Sequence, residues 1–504
     1  MPPASPLPQV VSLIAGECSP SVGNETFETL DPETDQPLAT VTVASDETVE
    51  QAVQAASEAF KQFRNAPPAS RERLLLTAAE VLEERRDVLI ERLVREIGSP
   101  IGKANLEFNI ALQTLRASAG IARRVTGRTY SADTPMSSGG GSEWSFAMRV
   151  PLGVTLAITP FNVPLIKAVK HTAMAWATGN TVVWLPSDQT AWIADAIGQV
   201  FAEAIARCDC PGGLFNIVQG PGSKIGDALV SHPLVRAVGF TGSTAVGRHV
   251  HATCGRNGKR VTLEMGGRNP LIVLADADLP AAVQAAVRGA FLFQGQICMA
   301  TNRVIVEESI AEPFTESFVR AASQLSLGAL GEPTTMLGPI INETSRRRIR
   351  EHLEDAINGG ASVLCGNTWQ GNRLNPTILH GVRSSMRLAR EETFGPVVSL
   401  EIAHDESRAI ELANAQVPEA KGPEVQVPEA QGPGMLAASV FTRRIDAALR
   451  LTESLPTSMV HINDMTIRQQ AEVPFGGEGG SGFGREGLET GVDDFTSWKW
   501  VTIR

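Results

Sequence analysis

The chain has 504 residues, 43% hydrophobic and 20% charged, with a net charge of −11. That length exceeds one ordinary core, so two or three globular domains are expected. The acidic balance argues against nucleic acid or an anionic membrane as a general partner, and no apolar run reaches the roughly 18 residues of a membrane-crossing helix.

In chain order, the first thirty or so residues are rich in Pro, Ser and Thr and read as extended. The first basic residue is Lys61, so a positively charged targeting segment is not expected at the start. Ser45 is expected to cap an amphipathic helix from Glu47 to about Phe63. Ser70 opens a longer one expected to reach Gly98, and a third helical stretch covers Lys103 to Val125. A Ser/Gly patch at 137–142 precedes Ser145–Val150, whose partial alternation predicts an exposed strand. From Gly153 the pattern changes. Short β-rich runs at Val154–Thr159, Thr181–Trp184, Leu214–Val218 and Val235–Gly239 alternate with helical stretches, which predicts a parallel sheet covered on both faces. A second such region begins near Glu264 and continues past Val306. Near the end, Gln416-Val-Pro-Glu-Ala-Lys-Gly-Pro423 recurs as Gln426-Val-Pro-Glu-Ala-Gln-Gly-Pro433. Its prolines exclude a helix or central strand, so 416–434 reads as a duplicated surface loop.

The six cysteines are scattered, which predicts reduced thiols and a cytoplasmic setting. Cys208-Asp209-Cys210 has no second ligand pair nearby and His249 and His251 stand alone, so no metal site is expected. Cys298 lies in a Gly/Gln turn, Gln294-Gly295-Gln296-Ile297-Cys298, and could act as a nucleophile. Glu264 follows an apolar strand before Gly266-Gly267 and could act as a general base. Asn162, also just past a strand, could donate to a developing oxyanion. Gly242-Ser243-Thr244-Ala245-Val246-Gly247 opens a helix and could present amides to a pyrophosphate, and Gly222 lies in a similar turn. Taken singly, each has a plain structural explanation: a core thiol, a surface carboxylate, an Asn-x-Pro turn, a helix start.

Their order is more specific than any member. Asn162, Gly242–Gly247, Glu264, Cys298, Glu391-Glu392-Thr393-Phe394-Gly395-Pro396, Pro474-Phe475-Gly476-Gly477 and the later Ser481-Gly-Phe-Gly-Arg-Glu486 resemble the aldehyde dehydrogenase superfamily from about Phe27 to Arg504. The resemblance implies an α/β fold: a Rossmann-like cofactor domain (1–131 and 152–262), an α/β catalytic domain (263–473) and a small bridging β-sheet (132–151 and 474–504) for a homodimer or homotetramer. It implies Cys298 as nucleophile, Asn162 and the Cys298 N–H as oxyanion donors, and Glu264 as the base that hydrolyses a thioester. Ser187, Asp188, Gly222, Gly242, Ser243, Gly247, Glu392 and Phe394 fall where the family binds its cofactor. Two alternatives remain at this level: a CoA-acylating relative, which lacks the Glu base, and an impaired member kept as a binding protein.

The sequence departs from the family's pattern in four places. Leu185-Pro186-Ser187-Asp188 replaces the family's Lys-Pro-Ser-Glu, which loses a cation and keeps an anion, favouring NAD over NADP. Gly479 stands where a lysine is common. The connection from Asn414 to Phe441 is roughly fifteen residues longer than usual, and it carries Gly434-Met435-Leu436 in place of a Glu-Tyr-Gly-Leu turn. Val163, Lys167 and Lys170 fall on the family's substrate tunnel. The cation at Lys170 and the run Gln294–Arg303 resemble the aryl-aldehyde (benzaldehyde, salicylaldehyde, vanillin) branch. A cation at the tunnel wall would favour anionic or hydroxylated substrates; the alternative is that both lysines are salt-bridged or face solvent.

Overall fold

The computed structural model describes residues 6–19, 25–131, 144–415 and 434–503. The Ser/Gly patch and the duplicated stretch 416–433 lie outside the described residues. Short strands occupy the start of the chain (Gln9–Val10, Ser12–Ile14, Glu17–Ser19, Thr26–Leu30), as its extended composition suggested. Ser45 caps α1 (Asp46–Phe63), its hydroxyl accepting from Thr48 N–H. The long helix expected from Ser70 is instead two, α2 (Pro68–Glu84) and α3 (Arg86–Glu96). The break falls at Arg85, whose φ of −99° and ψ of 13° leave the helical region. There its guanidinium bridges to Glu203 and Gln199. The start moves to Pro68, where the missing N–H of proline costs nothing. The third helix, α4, is Ile101–Ala122.

The first sheet holds five parallel strands in spatial order Arg260–Glu264, Val235–Thr241, Val154–Ile158, Thr181–Leu185 and Phe215–Ile217. These are β-branched runs buried on both faces by helices, as an all-parallel core requires. The helices include α5 (Pro164–Thr178), α6 (Ala191–Arg207), α7 (Gly222–Ser231) and α8 (Thr244–Arg256). Trp176 and Trp184 are fully buried here, and each satisfies its indole N–H, on Leu214 O at 3.2 Å and Thr159 Oγ1 at 2.8 Å. Chain order reverses between Val154–Ile158 and Val235–Thr241, which makes a crevice beyond their carboxyl ends.

The second sheet holds six parallel strands in the order Thr377–His380, Val397–Ala403, Thr301–Glu307, Asn269–Val273, Ala438–Phe441 and Val460–Ile462, with Ser362–Cys365 antiparallel at one edge. Only four residues, Met265–Arg268, join the two sheets. The final segment divides. Gly482–Phe483 pairs antiparallel with Arg260–Glu264 at the edge of the first sheet, and Leu488–Phe495 is helical. Thr496–Ile503 pairs along its whole length with Trp144–Pro151, and Arg128–Tyr130 completes a separate three-stranded sheet. By register, Trp144, Met148 and Ile503 share one face of it and Trp498 and Trp500 the other. All five are exposed, Trp144 by 71% and Trp500 by 70%. No helix among the described residues is long and apolar enough to cross a membrane.

Candidate active site

The chain reversal in the first sheet brings the sequence candidates together. Asn162 follows Val154–Ile158 on one side of the crevice. Gly242 and Ser243 follow Val235–Thr241 on the other. Glu264 ends the next strand over, and its carbonyl accepts from Gly242 N–H at 3.0 Å.

The thiol arrives from the second half of the molecule on a strained turn. Helix α9 (Leu279–Phe291) ends, and Phe293, Gln294 and Gly295 then take φ values of 50°, 55° and 67°. Two consecutive non-glycine residues in the left-handed region cost about 1–2 kcal/mol each. Tertiary contacts hold them there. Phe293 is fully buried, Gln294 Nε2 donates to Pro339 O at 2.9 Å, and Gln296 Oε1 accepts from Ile341 N–H at 3.1 Å. Gly295 is obligatory twice over, because a side chain there would also collide with the Gly395 carbonyl. The turn delivers Cys298 half-buried. Asn162 Nδ2 donates one hydrogen to Gln296 O at 2.8 Å, which leaves the second for a ligand. Asn269 fixes the loop's exit. Its Nδ2 donates to Cys298 O (2.8 Å) and Ala300 O (3.0 Å), while its Oδ1 accepts from Leu436 N–H (3.1 Å) and Ala437 N–H (3.0 Å).

Glu264 is buried, and neither carboxylate oxygen has a hydrogen-bond partner among the described residues. Burial drives its pKa well above the ordinary 4.5, with Lys167 opposing and Glu486 assisting. The Cys298 thiol is pushed up to about 12 by burial, eased by Lys167 and reinforced by Glu264 and Glu392.

Of the readings that the sequence left open for Lys167 and Lys170, the structure has the salt-bridged one. Glu486 takes both: Lys167 Nζ donates to its two oxygens at 2.9 and 2.8 Å, and Lys170 Nζ at 3.2 Å. They lie one helical turn apart on α5, so one carboxylate reaches both. Glu486 is held down to about 2: burial opposes this, and the two ammoniums override it. Burial lowers Lys170; it acts the same way on Lys167, but Glu486 and then Glu264 outweigh it and the net direction is up. One carboxylate thus pairs with both ammoniums. Val163 is half-buried at the start of α5.

On the cofactor side, Ser243 caps α8, its hydroxyl accepting from Val246 N–H at 3.5 Å. Gly247 permits close packing, since a β-carbon there would overlap Met265 Sδ. Gly222 begins α7 with open space at its Cα. Ser187 caps the short turn Asp188–Thr190, and Asp188 accepts from Gln189 Nε2 at 3.3 Å. Leu185 is 1% exposed and packs with Val183, Ile225 and Leu229, so it belongs to the core. Glu392 accepts from Gly267 N–H, and burial raises it to about 7. Phe394 has a left-handed φ of 51° and meets Phe161 edge-on, centroids 5.9 Å apart, beside the Asn162 turn.

Two charged groups here had no assigned role in the sequence. Arg348 is attracted by Glu392 and Glu391, yet its Nε is buried with no hydrogen-bond partner among the described residues; nothing distinguished it within Arg346-Arg347-Arg348-Ile349-Arg350. Glu486 did carry a signal, since it closes the Ser481–Glu486 motif. A serine-capped helix N-terminus, an underused guanidinium and a carboxylate suit the pyrophosphate and ribose of a dinucleotide.

Two doubly wound sheets meeting at such a junction define an α/β architecture, in which ligands are bound in the crevice beyond the strand ends. The aldehyde dehydrogenase family model matches residues 19–501, and the chain belongs to that family. It is an oxidoreductase acting on aldehydes. Vanillin dehydrogenase of Corynebacterium glutamicum is 37% identical over 495 residues, 98% of this chain and 97% of its own. Benzaldehyde dehydrogenase [NAD(+)] of Pseudomonas putida is 36% identical over 475 residues, 94% and 92% of the two chains. The crystal structure of a salicylaldehyde dehydrogenase from Pseudomonas putida G7 complexed with salicylaldehyde superposes with a TM-score of 0.89 at 34% identity, covering 99% of this chain and 98% of that one. Other solved relatives hold NAD+ or NADP.

Proposed function

We propose that this enzyme oxidises aryl aldehydes to carboxylic acids with NAD, through a thioester on Cys298. The observation that carries the reading is Glu264, a buried carboxylate with no hydrogen bond among the described residues, in the electrostatic field of the thiol. Burial without a partner is costly and is expected where a carboxylate is kept for a substrate or a water.

Cys298 loses its proton to solvent as the aldehyde binds. The thiolate adds to the carbonyl carbon, and the new oxyanion receives the free Asn162 amide hydrogen and the Cys298 N–H. Bound NAD supplies a hydride acceptor. Loss of the hydride leaves a thioester on Cys298. Glu264 then takes a proton from water as its oxygen attacks the acyl carbon, which releases the acid and restores the thiol.

Ser243, Gly242, Gly247 and Gly222 would hold the pyrophosphate and Glu392 the nicotinamide ribose, with Phe394 against the ring. Arg348 would offer a phosphate a charge. Ser187 and Asp188 would meet the adenosine ribose. With Leu185 in the core and Asp188 anionic, a 2′-phosphate has an anion and no replacing cation at this place, which supports NAD over NADP. Val163 would line the substrate tunnel, with Lys167 and Lys170 acting through Glu486. Residues 1–131 and 152–262 would serve the cofactor and 263–473 the thiol, while the three-stranded sheet would join copies into a cytoplasmic homodimer or homotetramer. The test is NADH absorbance with benzaldehyde, salicylaldehyde, vanillin and aliphatic aldehydes, with NAD or NADP, and with or without CoA. A requirement for CoA, or a preference for NADP, would overturn the corresponding part.

A further inference from the structure

We infer that Lys103 is a positioning residue: with Glu107 as its buried counter-ion, it sets where the Asn162 amide stands relative to the thiol loop. This rests on Asn162 being the oxyanion donor proposed above. Lys103 is 5% exposed on α4, far in sequence from every motif. A buried ammonium needs both charge and hydrogen-bond partners. Lys103 Nζ donates to Glu107 Oε2 at 2.5 Å and to Asn162 O at 2.6 Å, and lies 4.2 Å from the Phe293 ring centroid. The partners are specific to the start of α5. Val163, its N-cap, offers no side-chain acceptor. Glu107 Oε1 substitutes, accepting from Leu165 N–H at 3.0 Å and Ile166 N–H at 3.5 Å. Ile166 N–H lies in the first turn, where no carbonyl of the helix serves it, and Lys103 takes the Asn162 carbonyl, which precedes the N-cap.

The contacts close into a ring. Lys103 holds Asn162 through its backbone carbonyl. The Asn162 side chain donates to Gln296 O at 2.8 Å, and Gln296 N–H donates to Phe293 O at 3.0 Å. The Phe293 ring returns to the Lys103 ammonium. Asn162 belongs to the first sheet and Phe293 begins the left-handed run before Cys298, so one cation gauges the distance between donor and nucleophile. An apolar pair could fill the volume, but it could hold neither the carbonyl nor the face of the ring.

A double-mutant cycle tests this, using the full-length enzyme with Lys103→Met, Asn162→Ala and both, and reading single-turnover NADH formation from benzaldehyde together with thermal unfolding. Lys103→Met is expected to slow acyl-enzyme formation about 10- to 100-fold, with NAD affinity unchanged. In the Asn162→Ala background it is expected to add less than about 3-fold. A purely structural lysine would give additive losses, or a lower melting temperature at normal rate; either result overturns the inference while leaving Asn162's role standing. An Asn162→Ala enzyme of normal rate instead overturns the oxyanion assignment and this inference with it. Should Lys103→Met alone not fold, Lys103→Met/Glu107→Gln removes both charges, keeps the cap on α5, and is held to the same cycle.

Discussion

Replacing Gly266 by alanine isolates the cofactor contact of Glu392 from the stability of the fold. A β-carbon at Gly266 would overlap Oε1, Oε2 and Cδ of Glu392. The carboxylate would have to withdraw by about 1 Å to reach an ordinary contact distance. Gly266 does not have a positive φ, so alanine fits its backbone. The displaced group is the end of a flexible side chain, so unfolding should change by less than about 1 kcal/mol. The ribose should suffer more. Losing charge-assisted hydrogen bonds costs about 1.5–3 kcal/mol, or roughly a 10- to 150-fold rise in the Kd for NAD. Titration by intrinsic tryptophan fluorescence reads the Kd, and a thermal melt without cofactor reads stability. In a Glu392→Ala background the substitution should cost nothing further. Gly266→Ala with a Kd within about twofold of wild type would refute the reasoning, as would an undiminished loss in the Glu392→Ala background.

Three further outcomes are expected. Cys298→Ala should abolish NADH formation while NAD affinity and melting temperature hold; any surviving turnover above background would remove Cys298 as nucleophile. Glu264→Gln should keep a one-equivalent burst of NADH and slow the following steady rate about 10²- to 10⁴-fold, so a lost burst would show that Glu264 acts earlier. Because Glu264 works as a base only when ionised and burial raises its pKa above 4.5, the steady rate should climb with pH above the ordinary carboxylate range. Glu486→Gln removes an anion that raises Glu264 and frees two cations that lower it, so this limb should move to lower pH in kcat–pH profiles; an unmoved limb would break the proposed coupling.

Much of this was legible in the chain. The Ser45 cap, the alternation of β-rich and helical runs after Gly153, and the strand-end positions of Asn162 and Glu264 follow from local chemistry and period. What was not legible depends on contacts between distant residues. Arg85 breaks a helix where its side chain reaches Glu203. Lys170 stayed open between a free and a paired cation because its partner, Glu486, lies 316 residues away. Phe293 and Gln294 have no local reason to turn left-handed; Lys103 against the Phe293 ring and Pro339 against Gln294 hold them there. Local sequence shows which groups are present; it shows their charge state and direction only where the partner is also local.

The three-stranded sheet of Trp144–Pro151 and Thr496–Ile503 has a practical consequence. It carries large apolar side chains into solvent on both faces, so among the described residues neither face is fully covered. A second copy covering them would make heat resistance a function of protein concentration. Dilution would then lower the inactivation temperature, and a non-ionic detergent that coats the tryptophans would compete with assembly before it touched the thiol.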